Sequence, residues 1–165
     1  MQSYQAFTTY HNGLAPRIIN ECMVSIPMPP GDYNFQDEDV VKVKALWDTG
    51  ATGSVILAET AKKLGLKPIS KCEVRHAGGT DTQNVYLVHI FLPNHVALPY
   101  VRVTESPQTT GDFGAIIGMN IITIGDFAIS NFGKKTVCSF RVPSVGKIDF
   151  LDDLKKSKSG YNKKK

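Results

Sequence analysis

Ala45-Leu46-Trp47-Asp48-Thr49-Gly50-Ala51-Thr52-Gly53 is the stretch on which the reading of this chain turns. An apolar run delivers one carboxylate, and a hydroxyl and a glycine follow at once. Just upstream, Val41, Val43, Ala45 and Trp47 recur at period two, which predicts a strand over 41–47 with these residues on one face. The other face reads Lys42, Lys44, Leu46, Asp48, so the strand moves from solvated lysines to an aspartate at its inner end. A carboxylate in that place is costly unless it is hydrogen-bonded or has a task. Further on, a second apolar run, Ala115-Ile116-Ile117, ends on Gly118-Met119-Asn120.

Between and around these two stretches the pattern is mostly that of strands. Residues 18–26 are rich in β-branched side chains and are ended by Pro27, Pro29, Pro30 and Gly31, and the acidic residues 32–39 read as a loop. Residues 55–64 read as a helix, with Leu57, Ala61 and Leu64 on one face and Glu59 and Lys63 paired on another. Gly65 suits its C-terminal cap and Pro68 bars continuation. Two strands, 72–75 and 85–91, flank a tip at 76–81 whose glycines permit positive φ. Residues 100–104 alternate as a strand, 106–114 form a loop, 115–117 a short buried strand and 119–124 a short helix. A hairpin is expected from 127–129 and 136–142 around a turn at 131–134. The class is therefore mainly β with one or two short helices. No internal repeat is present, and there is no second Asp-Thr-Gly.

Length and composition suit one globular unit: 165 residues, 42% hydrophobic and 21% charged. The polar, aperiodic residues 1–16 read as an N-terminal arm, 17–143 as the domain and 144–165 as a Lys-rich flexible tail. The net charge of +4 belongs to that tail, because six of the nineteen basic residues lie in the last eleven. Without them thirteen basic groups face fifteen acidic ones. A tail of Lys, Ser, Gly and Asn lacks the apolar surface to order itself, and at most it would make weak contact with nucleic acid or another polyanion. No run reaches the roughly 20 apolar residues of a membrane span, and no basic-then-apolar signal segment opens the chain, so the expected place is cytoplasmic with no membrane partner. Cys22, Cys72 and Cys138 are odd in number and widely spaced, which fits a reducing compartment and small buried side chains. Neither they nor His11, His76, His89 and His95 have metal-ligand spacing, so no metal or cofactor is expected.

The chemistry that suits one such aspartate is hydrolysis by a carboxylate pair. Without a metal or a covalent nucleophile, cleaving a peptide bond needs a water, a base to deprotonate it and an acid for the carbonyl oxygen. Two carboxylates sharing one proton supply both, because like charges about 3 Å apart cannot both ionise easily and one pKa rises as the other falls. The pair titrates as a unit. Only Asp48 has a suitable context; Asp112 lies in a turn and would need an unusual loop. The second carboxylate then comes from a second chain, in a two-fold homodimer with an Asp48 from each subunit on its axis. Thr49 would lock the loop through its hydroxyl, while Gly50 and Gly118 would leave room for close backbone approach. The tip Ala77-Gly78-Gly79-Thr80 would serve as a flap that excludes water and bonds an extended peptide.

Leu46-Trp47-Asp48-Thr49-Gly50-Ala51-Thr52 resembles the active-site motif of retropepsin-like aspartic proteases, two apolar residues followed by Asp-Thr-Gly-Ala. Ile116-Ile117-Gly118-Met119-Asn120 resembles that family's second signature. The resemblance covers roughly residues 18–142 and is specific at these two motifs. It implies a closed β-barrel of the acid protease fold with one lobe per chain, an obligate homodimer, an activated water and an extended polypeptide substrate. It makes Asp48 catalytic, Thr49 an interlock between two active-site loops and the 77–80 tip the flap, with Ala51 and Gly118 supporting the loop. The chain departs from viral members at Thr52 and Met119, where those often carry an Asp and an Arg in a salt bridge. Both charges are replaced together, so neither is stranded. The helix expected at 55–64 and the extension past Thr123 look more like those of cellular, bacterial or phage-encoded members. The competing readings are a catalytically silent module of the same fold that dimerises or binds peptide, and a dimeric carrier for the lysine tail.

Overall fold

The structure is a computed structural model that describes residues 3–29, 39–76, 79–107 and 111–162. Most of the expected acidic loop, Ala77 and Gly78 of the glycine tip, and Lys163 to Lys165 lie outside the described residues.

Six strands close into a barrel. β2 (Ile19–Ser25) pairs antiparallel with β3 (Val40–Trp47), and β3 runs parallel to β8 (Ala115–Ile117). β8 pairs antiparallel with β4 (Ser54–Leu57), and β4 runs parallel to β7 (Val96–Ser106). β7 pairs with β6 (Gly79–Leu92), and β6 returns to β2 through Met23↔Phe91 and Ser25↔His89. One edge of β6 serves two neighbours in turn. Along Gly79–Val85 it carries β5 (Ser70–His76), and from His89 onward it closes the barrel. Val24, Ile56, Val88, Val103 and Ile117 fill the interior, none more than 1% exposed. They are β-branched, stiff at χ1 and suited to a pleated surface.

A second, three-stranded antiparallel sheet lies against this barrel in the order β1 (Gln5–Tyr10), β10 (Val137–Val142), β9 (Asp126–Ser130). Trp47 joins the two. Its indole stacks on Phe127 with centroids 4.8 Å apart and meets Phe140 and Phe7 at 5.1 and 5.9 Å. The β9–β10 hairpin is the one expected, with its turn at Phe132–Lys134.

Helix is sparse, as the class predicts. α1 (Ala58–Lys63) carries the Glu59–Lys63 ion pair at 2.8 Å. It ends in a Schellman motif: Gly65 N–H reaches Lys62 O, Leu66 N–H reaches Ala61 O, and Gly65 sits at φ +60. α2 (Met119–Ile122) is a single turn that buries Ile121 and Ile122. α3 (Phe150–Asn162) follows β10. No helix among the described residues is long and apolar enough to cross a membrane.

Three expectations are corrected. Residues 55–57, expected as the start of the 55–64 helix, belong to strand β4, because a short apolar run fits either period and the open places beside β7 and β8 decide it. The N-terminal arm expected at 1–16 contains β1, whose register runs from Gln5↔Val142 to Tyr10↔Val137 and whose Phe7 is buried. The flexible tail expected at 144–165 contains α3, because Asp149 Oδ1 caps its first turn, accepting from the N–H of Leu151 and Asp152 at 3.0 and 3.2 Å.

Candidate active site

β8 lies between β3 and β4, so the chain must cross the end of β8 to pass from one to the other. Residues 48–53 are that crossing. Asp48 begins it, with its N–H on Ile117 O at 3.0 Å, and a turn closes as Ala51 N–H reaches Asp48 O at 3.3 Å. The Gly50 N–H donates to Asp48 Oδ1 at 2.8 Å and fixes the half-buried carboxylate.

The chain leaving β8 locks the crossing from beneath. Met119 N–H donates to Ala51 O at 2.8 Å and Asn120 N–H to Thr52 O at 3.1 Å. The buried Ser54 hydroxyl accepts from Gly118 N–H at 3.0 Å and donates to Asn120 Oδ1 at 2.8 Å. The Asn120 amide in turn donates to Arg102 O at 3.1 Å, so β4, β7 and α2 are tied to one loop. Gly118 has φ −94, a value any residue adopts, and its requirement is space. A β-carbon there would meet the Gly53 and Ala51 carbonyl oxygens at 2.4 and 2.9 Å. At Gly50 a β-carbon would stand 3.2 Å from Asp48 Oδ1.

Beside Asp48 opens a cleft of about 440 Å³, lined among others by Arg17, Ile18, Trp47, Thr49, Phe127 and Ile129. Asp48 is its one carboxylate among the described residues. A larger groove of about 890 Å³ lies between the end of β1, β2 and the Pro93–His95 turn, away from Asp48. The smaller cleft is the candidate site because it holds the aspartate.

Asp48, Thr49, Gly50 and Ala51 thus lie in one loop with Gly118 beneath it. Thr49 is exposed, and none of the hydrogen bonds that hold the loop uses its hydroxyl, so within one chain it does not lock the loop. Gly79 and Thr80 open β6 at the far end of the β5–β6 hairpin, where Gly79 has φ +135, and the bonds that fix the Asp48 loop do not reach them. Asp112 is exposed and ion-paired with Lys44, which holds its carboxyl below the usual range. His89 is 1% exposed and packs edge-on against Tyr100 at 4.8 Å, and burial lowers its pKa. Cys22 and Cys138 are buried, while Cys72 is half-buried. Among the described residues no group of His, Cys, Asp or Glu is placed to hold a metal ion. Ser54 is a support of the loop that the motifs did not mark, whereas Asn120 stands in the second motif and accepts the Ser54 hydroxyl.

A model of the family described as gag-polyprotein putative aspartyl protease matches residues 37–123. Among solved structures, a retropepsin-like aspartic protease from Rickettsia conorii superposes with a TM-score of 0.54 at 12% identity, covering 86% of this chain and 98% of that one. The simian foamy virus protease gives 0.43 at 17% identity, covering 64% and 91%. The EIAV protease in complex with the inhibitor HBY-793 gives 0.46 at 18% identity, covering 66% and 88%. No curated protein matches the chain.

Proposed function

The chain belongs to the gag-polyprotein aspartyl protease family and has the retropepsin-like fold, and from this premise we propose that it is a homodimeric aspartic endopeptidase. The observation that carries the proposal is Asp48 itself, held by the Gly50 N–H in a loop seated on Gly118, facing a cleft with no other carboxylate among the described residues. Half a dyad in an otherwise complete loop calls for a second copy. The small sheet supports this, because β9 is its edge strand and Phe127 and Ile129 of β9 line the cleft beside Asp48. β9 has neither proline nor lysine, two common guards of an edge strand.

In the dimer one aspartate takes a proton from water as the oxygen attacks the peptide carbonyl. The other gives its proton to the carbonyl oxygen. Collapse of the tetrahedral intermediate then breaks the C–N bond, and the amine leaves with a proton returned by the pair. Thr49, with its hydroxyl exposed, interlocks with the partner loop, and Ala51 and Gly118 support the loop from within the chain. Residues 77–80 serve as the flap that covers an extended substrate and bonds its backbone. Three free cysteines are compatible with a reducing compartment such as the cytoplasm.

Purified full-length protein is expected to cut an unfolded polypeptide at internal bonds with an acid-shifted pH profile. Asp48→Asn is expected to abolish cutting while circular dichroism and Tm stay near the parent. Cleavage by that variant at the parent rate would refute the proposal.

A further inference from the structure

α3 offers a surface that the barrel does not use. Phe150 is 78% exposed, Leu151 68% and Leu154 50%. Their spacing places them on one face, within an arc of about 100°. A 13-residue helix without tertiary cover is marginal in water, so a stripe of this kind needs another surface to bury it.

The charge around the stripe indicates which surface. The lysine-rich end of the chain begins on this helix, at Lys155 and Lys156, directly after the apolar triplet. The last eleven residues hold six lysines and no acidic residue. A nucleic acid would match the lysines but leave the apolar stripe uncovered. A second copy would cover the stripe but bring only Asp152 and Asp153 of the helix and Asp149 before it against the same lysines. An anionic bilayer matches both features, since apolar insertion and a polybasic segment are two signals that add.

We propose that α3 is a peripheral anchor that lays Phe150, Leu151 and Leu154 among the headgroups of an anionic membrane, with the lysines on the charged surface. This goes beyond the protease reading and does not depend on it. The expectation of no membrane partner rested on the lack of a spanning run. Such a run is not needed by a helix that lies in the interface.

The test is co-sedimentation of the full-length protein with vesicles. Phosphatidylcholine containing about one third phosphatidylserine is expected to bind at least about tenfold more protein than phosphatidylcholine alone, and added salt is expected to weaken the binding. Leu151→Ser with Leu154→Ser is expected to lower binding to the anionic vesicles about tenfold or more. Lys155→Gln with Lys156→Gln is expected to lower it on anionic vesicles only. The proposal is overturned if the protein does not sediment with anionic vesicles, or if the double serine variant binds them as well as the parent. It is also overturned if that variant changes the oligomeric state without vesicles, which would make a second copy the occupant. Since these side chains are exposed, the variants are expected to keep the parent Tm.

Discussion

A β-carbon on Gly118 would stand 2.4 Å from the carbonyl oxygen of Gly53. The two residues belong to different motifs, and their contact is where the second seats the first. The atoms it would meet are backbone, so no side chain can move aside. Gly118→Ala is expected to lower stability by about 1–3 kcal/mol, the usual cost of overpacking, and to displace the Asp48 loop. Urea denaturation reads the first effect and the rate of polypeptide cleavage the second. An alanine variant as stable and active as the parent would contradict this account of the loop.

Ser54 is the polar counterpart of that contact. Its hydroxyl both accepts from Gly118 N–H and donates to Asn120 Oδ1. Ser54→Ala leaves a buried N–H without its acceptor, which costs about 1–3 kcal/mol. Thermal unfolding is expected to show the loss, and cleavage is expected to fall with it because the same bond holds the floor of the loop.

Asp126 governs how the fold meets acid. Its carboxyl accepts from the Ser144 hydroxyl at 2.5 Å, the Arg141 guanidinium at 2.6 Å and Val145 N–H at 3.1 Å. These bonds lower its pKa from 3.8 to about 2, the Ser144 bond contributing most. A folded-state pKa below the unfolded one gives stability that is present above about pH 4 and is lost as pH falls toward 2. Tm measured across that window is expected to fall in the parent and to fall less steeply in Asp126→Asn. Parallel curves would show that the cluster does not contribute.

The thiols should divide by burial. Desolvation pushes Cys22 up to about 12 and Cys138 up to about 11, so neither forms a thiolate near neutral pH. Cys72 on β5 is half-buried. A thiol-specific chromogenic reagent is expected to label Cys72 first in the folded protein and all three cysteines after denaturation. Peptide mapping that found Cys22 labelled as fast as Cys72 would contradict the packing of β2.

Much of this could be read before any coordinates. Strong local patterns carried β3, the β9–β10 hairpin, the Glu59–Lys63 pair and the Gly65 cap, and the two motifs carried the Asp48 loop and Gly118 beneath it. What escaped depends on partners distant in sequence. β1 buries Phe7 but is otherwise polar, and it becomes a strand by pairing with β10 at the other end of the chain. β4 is strand because two neighbours wait for it. β6 extends to Gly79 through Thr80, Asp81, Thr82 and Gln83, residues with no apolar alternation, because β5 supplies the ladder there. Nothing local marks Ser54, whose role comes from the N–H of Gly118, 64 residues away in sequence. α3 lies in the Lys-rich segment read as a tail from its composition, and its cap rests on the single residue Asp149.

The central claim is that Asp48 is half of a site completed by a second copy, and mixing subunits tests it most directly. Parent protein and Asp48→Asn protein are combined at fixed total concentration, unfolded and refolded together so that subunits exchange, and cleavage is measured as the parent fraction is varied. If each site needs an Asp48 from both subunits, activity falls as the square of the parent fraction. Activity that falls only in proportion to that fraction would show that each chain works alone, and would contradict the account.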